Sequence, residues 1–391
     1  MSFESINNPC PCESGLEYPY CCGAPDRNAI NTIALLEDDG TINGNLPAGV
    51  SAGLSTFNRS PDIYPVKLNL FQKQVQLVKM SPYWYSESVF LDAGRILGTC
   101  GIDTSARWLL EQSKPIPQTV SPIIFHTAFC GSTLLSKALD AIYDCLPIRE
   151  PEALSNLLVY MRSGATESDK TQWFDVVLNV LGRRYEANQP AVIKTNDYAD
   201  GLIGEIASRR PDIPIVFMYT SLTEFFAGCV KAKNRKQWVL DRYKAIAQIA
   251  PQYLKNLPSL TIAEDSVSHA AAVYWSYNIR MYLDVIANPS ANLRSLNFTD
   301  MLNDPLPVID KTASWFGLSQ RQGVNPADEL NWIMGVYSKD ASYEYSPQKR
   351  RDDMKKLLGN YVNELNEADQ IARQLLTEDY PEDRLPGSLL V

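Results

Sequence analysis

The sequence predicts an α/β protein: a P-loop-type parallel sheet flanked by helices, preceded by an N-terminal zinc knuckle and a small β-rich accessory region. Three observations predict this. Short apolar runs alternate with helical segments from residue 121 onward, four of the eight cysteines crowd into positions 10 to 22, and "VKLNLFQKQVQLVKM" alternates with the period of strands. These divide the chain into a knuckle at 1–23, an accessory region at 24–120, the α/β domain at 121–320 and a helical C-terminal region at 321–391.

The knuckle comes first. "NNPCPCESGLEYPYCCG" follows a leader with no basic end, apolar core or small-residue cleavage site, so the thiols are expected to stay reduced and the protein to be cytoplasmic. Closely spaced cysteines in a reducing compartment hold a metal more often than a disulfide. Cys10 and Cys12 ligate from one turn, and the loop with Gly15 and Pro19 returns Cys21 and Cys22. Four soft thiolates suit a structural zinc, whose binding supplies the folding energy that so short a segment cannot obtain from a core. These residues resemble the SEC-C zinc motif, Pro-Cys-Pro-Cys-x-Ser-Gly ending in Tyr-x-x-Cys-Cys-Gly. The motif is usually lysine-rich in its middle, whereas Glu13, Leu16, Glu17 and Tyr20 stand here. Nucleic acid is therefore disfavoured as a partner, since phosphate contacts need cations. A protein docking on the knuckle remains open.

Composition agrees. The 391 residues are 45% hydrophobic, enough for a real core, and the net charge of −9 argues against a nucleic-acid coat. No run approaches the roughly twenty apolar residues of a membrane span, so no membrane partner is expected.

After the turn cluster "DDGTINGNLPAG" and the alternating strands, the loop "EQSKPIPQTVSP" leads into the α/β domain. The runs "PIIFHTAF", "LPIRE", "PAVIKTN" and "IPIVFMY" read as strands buried on both faces, separated by helices such as "STLLSKALDAIYD". Right-handed crossovers place the carboxyl ends of parallel strands on one edge, where a site belongs.

"HTAFCGST" at 126–133 lies between a strand and a helix, the position of a phosphate-binding loop. It keeps the Gly-x4-Gly-Lys-[Ser/Thr] spacing but puts His126 for the first glycine and Ser132 for the lysine. Ala128, Phe129, Cys130, Gly131, Ser132, Thr133 and Leu134 are the candidate anion-binding residues. The alternative is an ordinary turn with Ser132 as a helix N-cap.

"FHTAFCGSTLLSKALD", "IREPEAL", "VIKTN", "VFMYTSLTEFFAGCVK" and "NLRSLNFTDMLNDPLPVIDKTASWFGL", in this order over residues 121–318, resemble a bacterial branch of the sulfotransferase-like family. The resemblance implies a donor of the 3′-phosphoadenylyl sulfate type, a small-molecule or peptide acceptor carrying a hydroxyl or amine, and transfer of a sulfuryl group. It also implies a second donor-binding segment, starting at Thr220 and reaching Gly228; Lys231, just beyond it, is a further candidate donor-binding residue. The family's basic residue before Ser-Gly is Phe129 here, and its anchoring Arg and Ser are Thr220 and Gly228. Lys231, Lys233, Arg235 and Lys236 either compensate or form a solvated helix end.

Sulfuryl transfer needs a base and cations for the leaving phosphate. Glu150, ending the strand in "IREP", and Lys194, ending the one in "VIKTN", are the candidate catalytic residues. Arg149 orients Glu150 or binds the acceptor; the alternative for both is a surface ion pair or a cap ahead of Pro151. His126 is a weaker candidate base, His269 a structural residue and Cys130 a small packed one. Two readings follow: an enzyme, in which the donor can also be another phosphate-containing molecule, or a degenerate sulfotransferase fold that binds an anion, nucleotide or protein.

Overall fold

The structure, a computed structural model, describes residues 31–44, 46, 48–93, 100–250, 266–337, 340–344, 347–382 and 384–390. The four cysteines of the expected knuckle, Cys10, Cys12, Cys21 and Cys22, lie outside these residues. The chain divides into two compact units. The first comprises the described residues up to 123 with 139–199 and 318–322, the second residues 124–138, 200–317 and 323 onward.

The first unit holds a five-stranded sheet of β1 (Asn31–Leu36), β2 (Ile42–Gly44), β3 (Ile63–Asn69), β4 (Gln74–Lys79) and β5 (Cys100–Ser105) in the order β2-β1-β5-β4-β3. The alternating segment forms the antiparallel β3–β4 hairpin, whose turn places Lys73 at φ 58°. Three short helices accompany the sheet: α1 (Ala48–Ser55), α2 (Pro82–Glu87) and α3 (Ala106–Ser113). Ser81 and Ser105 cap the last two through their side chains. These serines carry the helix signal in a region whose hydrophobic alternation reads as strand.

The same unit holds β7 (Leu146–Arg149) and β8 (Ala191–Lys194), both buried throughout and paired in parallel with Arg149 opposite Lys194. Between them run α5 (Glu152–Met161) and α6 (Glu167–Leu181). Just past α6, the buried Arg183 guanidinium donates to the carbonyls of Phe57, Ser60 and Ile63, at 2.6, 3.0 and 2.6 Å. A side chain with five donors and no acceptor thereby satisfies the backbone turn ahead of β3.

In the second unit, β6 (Ile123–His126), β9 (Ile215–Tyr219) and β10 (Leu293–Asn297) run in the order β10-β9-β6, with β9 and β10 parallel. Helices α4 (Ser132–Ile142), α7 (Ile203–Arg209), α8 (Leu222–Val230) and α9 (Lys233–Ile249) follow the connections. Helix α10 (Val267–Ile286) is buried on almost every face, as its all-round apolar sequence requires. Helices α11 (Phe298–Asn303) and α12 (Pro305–Phe316) follow β10, and α12 ends at Gly317 in the left-handed conformation. The C-terminal part contains α13 (Pro326–Gly335), a ribbon of β11 (Val336–Tyr337) with β12 (Asp340–Glu344), α14 (Pro347–Leu358) and α15 (Val362–Leu376). The tail then pairs with β10: Ser295 donates to the Gly387 carbonyl and Leu389 donates back to Ser295, each at 2.9 Å. That covers an edge which would otherwise present unpaired backbone groups.

Among the described residues, no helix is long and apolar enough to cross a membrane.

Candidate anion-binding loop

The apolar strand β6 delivers the chain to a turn of unusual backbone conformation. Ala128, Phe129 and Gly131 have φ of 61, 51 and 75°. Glycine takes this region freely, but alanine and phenylalanine each pay about 1–2 kcal/mol there, so the surroundings must hold them. Ala128 N–H donates to His126 Nδ1 at 3.0 Å, Thr127 N–H to the Met218 carbonyl at 3.1 Å and the Cys130 thiol to the same carbonyl at 3.2 Å. His126 is thus a buried acceptor that shapes the loop, and Cys130 is a fully buried packing residue.

Helix α4 begins at Ser132. The Gly131 carbonyl accepts the Leu135 amide at 3.0 Å, so Gly131 occupies the N-cap position and Ser132 is the first helical residue. Ser132 therefore does not cap this helix. Its first-turn amides have no acceptor within the helix, and the macrodipole adds positive potential there, an arrangement that favours an anion. Ser132 and Thr133 are both buried at this terminus.

Two aromatic rings flank the loop. A Cβ added to Gly228 would come within 2.7 Å of the Phe129 ring, which also meets Trp238 at 5.0 Å and Phe225 at 5.8 Å between centroids. The Arg235 guanidinium lies 4.9 Å over Phe129. On Gly131, an added Cβ would come within 2.1 Å of the Phe298 ring. The Arg350 guanidinium lies over the same ring, 4.8 Å from its centroid. Arginine on a ring face is a favourable electrostatic contact.

Arg350 also pairs with Glu224 at 2.8 Å. The second Glu224 oxygen accepts the Thr220 hydroxyl and, at 3.4 Å, the Thr299 hydroxyl. Thr220 is fully buried, and its carbonyl accepts Trp275 Nε1 at 2.9 Å. Of the basic run, Arg235 sits on Phe129 and Lys236 reaches the Tyr361 hydroxyl at 2.9 Å, while Lys231 and Lys233 are exposed. Sequence reasoning missed Phe298, Glu224 and Arg350. The one readable signal was Ser-x-x-Glu at 221–224, a capping-box pattern. Ser221 does accept the Glu224 amide at 3.2 Å, but the Glu224 carboxylate faces Arg350 and the two threonines.

In the first unit the structure brings Glu150 and Lys194 together. Lys194 Nζ lies 2.6 Å from Glu150 Oε1 with both side chains buried, and Glu150 N–H donates to the Lys194 carbonyl at 2.7 Å. Glu150 has φ 52°, a strained conformation of the kind that collects at functional sites. Arg149 is fully buried: it donates to the carbonyls of Tyr85, Ser86 and Ser88 and pairs with Asp140 at 2.8 Å. A residue at a strand end was expected to reach the edge. The structure instead turns Arg149 inward, onto the C-terminal end of α2 and the residue after it.

Among the described residues, no group of three or more His, Cys, Asp or Glu is placed to hold a metal ion. Burial pushes the thiols of Cys145 and Cys229 up, which leaves them unreactive.

No family model matches the chain, and no curated protein matches it either. Among solved structures, it is similar to a sulfotransferase from Alicyclobacillus acidocaldarius, at 14% identity over 66% of this chain and 97% of that one, with a TM-score of 0.32. It is also similar to sulfotransferase STF9 from Mycobacterium avium, at 11% identity over 66% of this chain and 81% of that one, with a TM-score of 0.34. At these values neither structure carries a function to this chain.

Proposed function

We propose that this chain is a sulfotransferase-like transferase that binds an anionic, nucleotide-type donor on the loop 128–134. The observation that carries the reading is the held conformation of Ala128, Phe129 and Gly131 at the start of α4, in the segment whose motifs resemble that family. Strain held in two non-glycine residues at the start of a helix, where first-turn amides and the macrodipole favour an anion, supports this reading.

In the proposed reaction the acceptor's hydroxyl or amine attacks the donor's sulfur. The sulfur–oxygen bond to the phosphate breaks, the phosphate leaves as an anion, and the acceptor's proton passes to a base. Within the first unit, Lys194 holds the Glu150 carboxylate in place. Zinc on Cys10, Cys12, Cys21 and Cys22 is proposed as structural only.

A second reading, a binding module without turnover, is favoured by one observation: the Phe129 ring fills the space beside Gly228, where the family resemblance implies a phosphate anchor. A single pair of measurements separates the readings. Calorimetric titration with 3′-phosphoadenosine 5′-phosphate should show binding that Thr133→Ala weakens about tenfold, as for loss of a hydrogen bond to a charged group. Incubation with 3′-phosphoadenylyl sulfate and phenol or amine acceptors should release the bisphosphate. Binding without release supports the module, and no binding of either this bisphosphate or adenosine 5′-phosphate removes both readings of the loop.

A further inference from the structure

The carboxylate of Glu224 is held as a ligand anion would be. One oxygen takes the Arg350 guanidinium at 2.8 Å and the other takes the hydroxyls of Thr220 and Thr299. Its side chain is 12% exposed and that of Arg350 20%, so the pair lies at a rim rather than deep in the core. A guanidinium with two hydroxyls is a common donor set for phosphate and sulfate. This set of donors adjoins the loop through one residue: the Phe298 ring lies against both Gly131 and Arg350, and the next residue, Thr299, donates to Glu224.

We propose that Glu224 is a built-in anion filling a second anion subsite beside the loop, so that the chain selects a donor with one anionic end over a donor with two. This rests on the loop being an anion site. A ligand with two phosphates would have to displace a covalently tethered carboxylate from Arg350, and tethering gives that carboxylate a high effective concentration. A ligand with a single anionic end meets no such competitor. Thr220 fits the same account: the cation in this pocket comes from α14, and the hydroxyl at 220 serves the internal carboxylate.

The test uses the full chain, as wild type, Glu224→Gln, Glu224→Ala, and Glu224→Ala with Arg350→Ala. The ligands are inorganic sulfate, adenosine 5′-phosphate and 3′-phosphoadenosine 5′-phosphate. Glu224→Gln keeps the size and neutralises the competitor. It should raise affinity for the bisphosphate about tenfold or more, the effect of one freed charged contact, while leaving the monophosphate unchanged. Glu224→Ala vacates the pocket, so sulfate should raise its melting temperature more than that of wild type, and adding Arg350→Ala should abolish that gain.

If neither nucleotide binds any variant yet sulfate rescues Glu224→Ala through Arg350, the loop reading falls and the filled subsite stands. If sulfate stabilises Glu224→Ala no more than wild type, or if a folded Glu224→Gln gains nothing for the bisphosphate over a monophosphate that binds, the proposal is overturned.

Discussion

The Phe129 ring rests on Gly228, so close that a Cβ at 228 would lie 2.7 Å from it. The two positions read from the sequence as separate departures, a lost basic residue and a lost hydroxyl. In the fold they are one steric exchange: an aromatic ring in the loop requires a residue without a side chain on α8. Restoring either family residue alone therefore meets an obstacle or leaves a void.

That coupling is measurable. Gly228→Ala should destabilise the protein by about 1–3 kcal/mol through overpacking. Phe129→Ala should also destabilise by leaving a cavity. The double variant should cost less than the sum, with an interaction of about 1 kcal/mol or more in urea unfolding. Strict additivity would show that the ring moves aside freely.

Lys194→Met should cost about 3–5 kcal/mol, because it leaves the Glu150 carboxylate buried without its partner. Adding Glu150→Gln should recover part of that loss, since the remaining group is neutral. Chemical denaturation of the two variants reads this directly, and a single variant as stable as wild type would mean that water reaches Glu150.

Purified protein should carry one zinc, lost in Cys21→Ser with Cys22→Ser, and metal analysis settles it. Because a metal-nucleated knuckle carries its own stability, the cooperative melt of the α/β domain should survive that loss. Zinc retained by the double variant would place the metal elsewhere.

His269 gives the stability a pH dependence. Burial lowers its pKa from 6.5, only partly offset by Glu367, and its Nε2 is buried without a hydrogen-bond partner among the described residues. A histidine with a lowered folded pKa takes up its proton more readily when unfolded. Its contribution to stability is therefore present above about 6.5 and declines as pH falls from there toward the folded value. His269→Gln should flatten that part of the stability profile. An unchanged slope would assign it to other groups.

The sequence by itself determined the elements whose signal is local. Continuous apolar runs became β6, β7, β8 and β9, the alternation over 66–80 became a hairpin, and the loop 126–133 was found from its strand-loop-helix spacing. Side-chain period and turn chemistry act over a few residues, so they are legible in one chain. Tertiary structure decided the rest. Arg350 meets Glu224 across 126 positions and Phe298, at the start of α11, settles on Gly131, pairings that no local period encodes. Arg149 shows the same limit at one residue. Its place at a strand end was readable, but its inward turn depends on which segment brings three carbonyls and Asp140 to it. A buried charge goes where partners are assembled, and only the folded chain assembles them.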